Sequence, residues 1–201
     1  YPNEHVYDEQ MRANTLAGKR WSSPRIMDEL KVEARKRGLW NLYLPEWSGL
    51  SNRDYATIAE VLGRNLWAAD VVNSQFPQSG NAETLEKFGN AEQKRKYLEP
   101  LKNAEIRSAF VMTEPGVASS DAVQLRTRIE RVGNKYRING QKWWISDAGH
   151  PLCKVFLVLG DTSVNEKDPA ERAKISRHRR HSIVIVPTDT PGVHSKTPMT
   201  S

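Results

Sequence analysis

Two stretches hold the residues best suited to chemistry: Phe110 to Asp121 (Phe-Val-Met-Thr-Glu-Pro-Gly-Val-Ala-Ser-Ser-Asp) and Asn139 to Ser146 (Asn-Gly-Gln-Lys-Trp-Trp-Ile-Ser). The first is a short apolar run that stops at Thr113, turns at Glu114-Pro115-Gly116 and opens a loop of small residues and hydroxyls. Proline fixes its own φ and glycine takes the positive φ of a type II turn. The hydroxyls of Ser119 and Ser120 can then fold back beside Thr113 as a polar cup at a strand end. The second stretch supplies two adjacent indoles. Read as a strand, Trp143 to Ile145 turns one indole to each face and sets Ser146 on the face of Trp144. Small hydroxyls beside a flat aromatic suit a planar, hydrogen-bonding ligand that carries phosphate. The same pieces also serve as plain strand and turn structure, with Glu114 as a structural acceptor or salt-bridge partner.

From Ile106 onward the hydrophobic period is two, and the elements that must position these residues are short strands. They are predicted over Ala109 to Met112, Leu125 to Glu130, Tyr136 to Asn139, Trp143 to Ile145, Val155 to Leu159 and Ser182 to Val186. With no helical spacing between them, they point to a compact antiparallel barrel or sandwich. Residues 1 to 104 read instead as helices. Asn3 caps one through about Lys19. A second begins after Ser23, with Pro24 at its first position, Ile26, Leu30 and Ala34 on one face and Gly38 as terminator. Leu39 to Pro45 is a buried crossing segment, and Ser51 with Asp54 forms a capping box ahead of the stripe Tyr55, Ile58, Ala59 and Leu62. Trp67 to Asn73 is a further apolar group. Asn81 caps a short helix closed by Gly89, and Asn90 with Gln93 opens another that ends before Pro100. The fold class is therefore α+β: a helical domain over 1–103 and a β domain over 104–201.

Composition narrows the function classes. A chain of 201 residues, 38% hydrophobic, can bury a sizeable core, while a mean hydropathy of −0.67 signals much polar surface. The single cysteine, Cys153, rules out an internal disulfide framework and a cysteine-based zinc cluster, and suits a reducing compartment. A net charge of +6 favours acidic or phosphate-bearing partners as a class. The basic run Arg177-His178-Arg179-Arg180-His181, with Arg172 and Lys174, is either a phosphate-contacting patch or a solvated hairpin loop. No aromatic residues interleave with it, which argues against nucleic acid, and its histidines have no third ligand nearby, which argues against a metal. No apolar run of 18 residues and no secretory leader occur. The chain begins at Tyr1 without methionine and stops at Ser201, as an excerpt of a longer protein would.

Taken together, Phe110 to Ser119 and Asn139 to Ser146 closely resemble the flavin-binding signature of the acyl-CoA dehydrogenases. The Ala-Ser-Ser-Asp and Lys-Trp-Trp spellings are most like the subgroup of family members 10 and 11. Gly89 to Leu101 resembles the end of that family's N-terminal helical domain, and the likeness runs from about Leu30 to the end. The resemblance implies the first two of three domains, with the C-terminal four-helix domain absent. It implies FAD as cofactor and oxidation of the Cα–Cβ bond of an acyl-CoA thioester, in which a glutamate takes the α proton, hydride leaves for the flavin and electrons pass to an electron-transfer flavoprotein. Phe110, Met112 and Thr113 would meet the flavin ring. Trp144 would lie against it with Ile145 alongside, and Ser146 would stand where many relatives carry threonine. Ser119 corresponds to the serine near the FAD pyrophosphate and the substrate. Ala118 in place of a common glycine, and the additional Ser120, leave open which serine reaches the ligand. Trp144, Thr113 and Ser146 are thus expected to share one wall shaped for an isoalloxazine. The catalytic base is expected in the absent domain, and none of Glu99, Glu105, Glu114 or Glu130 sits in a matching motif.

The resemblance further implies a homo-oligomer at full length and an intracellular home: mitochondrial or peroxisomal in a eukaryote, cytoplasmic in a bacterium. On the same fold an acyl-CoA oxidase or a flavin monooxygenase is the alternative enzyme. A truncated, non-catalytic module that binds CoA or a partner is the alternative outside enzymes.

Overall fold

The structure, a computed structural model, describes residues 3–20 and 22–196; the ends at Tyr1 and Ser201 lie outside them. The chain divides into two compact units. One comprises residues 1–107 and 149–152, the other residues 108–148 and 153–201.

The first unit is helical: α1 (Glu4–Leu16), α2 (Arg25–Lys36), α3 (Pro45–Ser48), α4 (Asn52–Leu62), α5 (Ala68–Val71), α6 (Gln78–Phe88), α7 (Ala91–Gln93) and α8 (Glu99–Lys102). Helix α2 buries Ile26 and Ala34 of its expected face, with Leu30 half-buried and Met27 buried beside them, and packs on α1 and α5. Met27, Leu44, Ala82, Leu85, Leu98 and Leu101 complete the core of this unit.

Both predicted capping boxes form. Ser51 Oγ accepts from the Asp54 amide while Asp54 accepts from the Ser51 amide; Asn90 and Gln93 repeat the exchange at 2.9 Å each way. Other boundaries move. Helix α1 ends at Leu16 rather than near Lys19, where Gly18 turns the chain with φ +71. Pro24 stands one place before α2, in extended conformation, as its cap residue. Within Leu39 to Pro45, Asn41 and Leu44 are buried but Leu39 is exposed, and Pro45 starts α3. Asn81 is not the cap of this helix: Pro77 supplies the start, α6 is already under way at Gln78, and Asn81 lies buried inside it. The last helix does not stop before Pro100. A π-turn at Lys94–Leu98 joins α7 to α8 and widens the ladder, so Pro100, which has no amide proton to give, falls in a fresh first turn.

The second unit is a five-stranded sheet: β1 (Arg107–Val111), β2 (Arg128–Val132), β3 (Lys135–Asn139), β4 (Cys153–Asp161) and β5 (His181–Pro187). The order is β1-β4-β2-β3, with β5 also paired to β4. The β2/β3 and β4/β5 pairs are antiparallel, and β2 meets β4 in parallel at Arg128 and Asp161. Ala109 and Val111 of β1 join Cys153, Phe156, Val158 and Val186 in its core, while Phe110 alternates to the other face and stays half-buried. Cys153 is a packing residue, as its lone occurrence suggests.

One predicted strand is absent. Trp143 to Ile145 form an irregular loop, and Trp144 takes φ +52, a left-handed conformation that no strand residue adopts. The alternating-face inference that pairs Trp144 with Ser146 lapses with it. The stretch between β4 and β5 is also more ordered than a hairpin loop: it carries the helix α9 (Pro169–Lys174), begun by Asp168 accepting from the Ala170 amide, and two 3-10 turns. Among the described residues no helix is long and apolar enough to cross a membrane.

Candidate functional site

The hydroxyl turn and the indole loop meet around a buried lysine. Lys142 directs its ammonium at three acceptors: the Met112 carbonyl at the end of β1 (2.7 Å), Glu114 Oε1 in the turn (2.8 Å) and the Leu159 carbonyl in β4 (2.7 Å). Its side chain is 9% exposed and that of Glu114 4%. All three of its protons are therefore used. The other bonds of Glu114 tie the turn to the approach of β2, since its carboxylate accepts from the amides of Arg126 (2.6 Å) and Thr127 (2.9 Å).

Burial pushes the Glu114 carboxyl up, but the hydrogen bonds from Lys142 and the two amides outweigh it and bring the pKa to about 2. The same burial holds Lys142 below the ordinary lysine range against the opposing pull of Glu114. Glu114 is thus a fixed anion and a structural acceptor.

Around this pair the predicted residues take different places. Thr113 is drawn to the indole loop by two bonds: its hydroxyl donates to the Trp143 carbonyl, and its own carbonyl accepts from the Trp143 amide at 3.1 Å. Gly116 has φ +78, as the turn requires, and Ser119 folds back so that its Oγ accepts from the Glu114 amide at 3.0 Å. Ser120 points outward and is exposed. Phe110 and Met112 are half-buried on the face of the β1 run opposite the core. Ile145 packs its side chain against the hydrophobic core, and Ser146 is exposed in the turn that follows. Trp143 and Trp144 are 44% and 65% exposed, edge to face with ring centroids 6.1 Å apart. Two large aromatics standing in solvent on a tightly anchored loop offer flat surface to a ligand or partner.

Sequence reasoning singled out the indoles, the hydroxyls and Glu114, but not Lys142. The available signal was one charged residue set between Gly140-Gln141 and two tryptophans, a place where a solvated lysine would be out of keeping.

The insert between β4 and β5 approaches the same loop. Arg177 Nη2 lies 3.9 Å from Asp121 Oδ2, and Arg177, His178 and Arg179 are exposed on a 3-10 turn. Among the described residues no group of His, Cys, Asp and Glu side chains is placed to hold a metal.

Hollows of about 240 and 430 Å³ lie in the helical unit instead, both lined in part by Ser23, Asp70, Arg107 and His150. The carboxylate that lines both is occupied: Asp70 is held by Arg107 at 2.6 Å and by Lys31 at 3.3 Å.

A helical unit followed along the chain by a small sheet, with a hydroxyl turn and an indole loop joined at one strand end, is the make-up of the first two domains of an acyl-CoA dehydrogenase. This chain belongs to that family: residues 9–105 match its N-terminal domain and residues 109–201 its middle domain. It is 46% identical over 199 residues to chicken acyl-CoA dehydrogenase family member 11, covering 99% of this chain and 25% of that protein. To mouse family member 10 it is 38% identical over 192 residues, covering 92% of this chain and 17% of that protein. A solved Mycobacterium abscessus structure assigned to the acyl-CoA dehydrogenases superposes with a TM-score of 0.84 at 45% identity, covering 98% of this chain and 47% of the other. The chain therefore spans between a sixth and a half of the length of these relatives.

Proposed function

We propose that this chain forms the cofactor-side part of an FAD-dependent acyl-CoA dehydrogenase acting on fatty acyl-CoA thioesters. The observation that carries the reading is the pair of solvent-facing indoles at Trp143 and Trp144, on a loop bonded directly to the Thr113 strand end. An isolated indole in water needs no such anchoring; a plate for a flat ring system does. The residues present suit a flavin: Trp144 and Trp143 supply flat apolar surface, Phe110 and Met112 a half-buried face, and Thr113 and Ser119 hydroxyls at the strand end. The Thr113 proton is committed to Trp143, so toward a ligand that hydroxyl acts as an acceptor.

FAD, when bound, supplies the hydride acceptor for oxidation of the Cα–Cβ bond. The residues of this chain that would hold the ring are Trp143, Trp144, Phe110, Met112, Thr113 and Ser119, and the indoles would keep water from it. With Glu114 held as an anion by Lys142, that carboxylate is not set to take the α proton, and the base belongs to the part of the protein beyond this chain. These 201 residues alone are accordingly without dehydrogenase activity. An electron-transfer flavoprotein serves as oxidant and the full-length protein is a homo-oligomer, inside a mitochondrion or peroxisome in a eukaryote or in the cytoplasm of a bacterium.

The test uses the full-length protein. It should purify yellow, bleach with an acyl-CoA under anaerobic conditions and recolour with an electron-transfer flavoprotein. A colourless protein that takes up no FAD sinks the reading, and rapid recolouring by oxygen alone shows an oxidase instead.

A further inference from the structure

We infer that Lys142 is the positioning residue of this site, setting the indole loop in place against the Thr113 strand end; the inference rests on the flavin reading. Lys142 immediately precedes Trp143, and its ammonium joins three separate pieces of backbone and turn: Met112 at the end of β1, Glu114, and Leu159 of β4. Further along, the loop is held by the side chain of Ile145 packed against the core. Beyond the two bonds between Thr113 and Trp143, its backbone makes the 3.4 Å bond from the Ala148 amide to the Ile145 carbonyl, and Trp144 sits in a left-handed conformation outside any strand ladder.

A lysine is the side chain the geometry asks for. Its tetrahedral head carries three donors at the end of a long stem, whereas the planar fork of arginine aims its donors in one plane. The carboxylate of Glu114 meets the charge, and the two carbonyls define where the head sits. The two carbonyls also take the protons that the carboxylate leaves over, as a buried ammonium requires, so position and stability are told apart by experiment.

Two roles are therefore separable in the full-length protein. Lys142→Met leaves Glu114 buried without its cation and should unfold more easily. Lys142→Met with Glu114→Gln removes the stranded charge and keeps an acceptor for one of the two amides of Arg126 and Thr127, which bond different oxygens of Glu114, and should regain part of the lost stability. The edge-to-face indoles give a near-ultraviolet circular dichroism signal, isolated as the difference between the wild type and Trp144→Phe. The double variant, though folded, should lose that signal without any FAD present, and its FAD dissociation constant should rise by about 100-fold.

A folded double variant with the indole signal and FAD affinity of the wild type overturns the inference. If the double variant does not fold, Lys142→Arg carries the test, because it keeps the charge and misplaces the donors: unchanged signal and affinity overturn the inference, and loss of both supports it. A wild type that binds no FAD sinks the flavin reading, and the indole signal then decides on Lys142 by itself.

Discussion

Replacing Trp144 by glycine separates the stability of the site from its use. The indole is 65% exposed, so only about a third of its surface is covered, on the order of 70 Å² or ~2 kcal/mol of burial to lose. Against that, φ +52 costs a residue with a Cβ about 1–2 kcal/mol, which glycine recovers, less about 0.5–1 kcal/mol for the added freedom of its unfolded chain. The terms nearly cancel, and Trp144→Gly should destabilise the protein by about 1 kcal/mol, compared with about 3–5 kcal/mol for truncating a tryptophan in a packed core. In thermal unfolding that is a shift of about 2–4 °C. FAD affinity, measured by titration of flavin fluorescence, should fall by at least about tenfold, since the surface proposed to hold the ring is gone. A stability loss above about 3 kcal/mol with unchanged FAD affinity would refute the reasoning, because the indole would then be a core residue and not a ligand surface.

The buried ion network of the helical unit should behave unlike the surface ones. Asp70→Asn, which removes the charge that Arg107 and Lys31 share, should cost about 3 kcal/mol in urea unfolding, whereas Glu29→Ala, which breaks the exposed pair with Arg25, should cost under about 0.5 kcal/mol. Acid should unfold the wild type early. The Glu114 carboxyl is near 2 when folded against an ordinary 4.5, so its contribution of about 3 kcal/mol is present above pH 4.5 and drains as the pH falls toward 2. Urea midpoints at about pH 6 and about pH 3 check this, and Glu114→Gln should show less of the drop. Ser119→Ala should lower stability by about 1 kcal/mol through loss of the acceptor for the Glu114 amide, and Ser120→Ala should leave it unchanged. Gly140→Ala should destabilise by about 1–3 kcal/mol, since the added methyl would come within 2.7 Å of Thr127 Cβ; a neutral result would show that β2 and the loop after β3 can part.

Most of the fold was legible because the local signals agreed with the packing. The boxes Ser51/Asp54 and Asn90/Gln93 formed as written, and five of the six strands appeared near their predicted places. What failed did so where tertiary contacts overruled local preference. Two bulky aromatics and an isoleucine read as a strand by propensity. The bonds of Lys142 and Thr113 hold the start of that segment, and Ile145 turns into the core, which forces Trp144 into a conformation no propensity scale anticipates. Pro100 misled for a similar reason, because a π-turn just upstream absorbs the missing donor. Of the candidate site, the polar and aromatic members could be named from residue type alone. The lysine between them could not, since a charge reads as solvent-facing until the acceptors around it are known.

The capping box at Ser51 sits on a helix that buries nothing. Tyr55, Ile58 and Leu62 of α4 are only half-covered, and no residue of its eleven is buried in these 201 residues. A helix this short, secured mainly by its first turn, opens with a free energy near zero on its own. Its amide protons should therefore trade with deuterated water long before those of α2, and equally slow exchange in both helices would refute this reading.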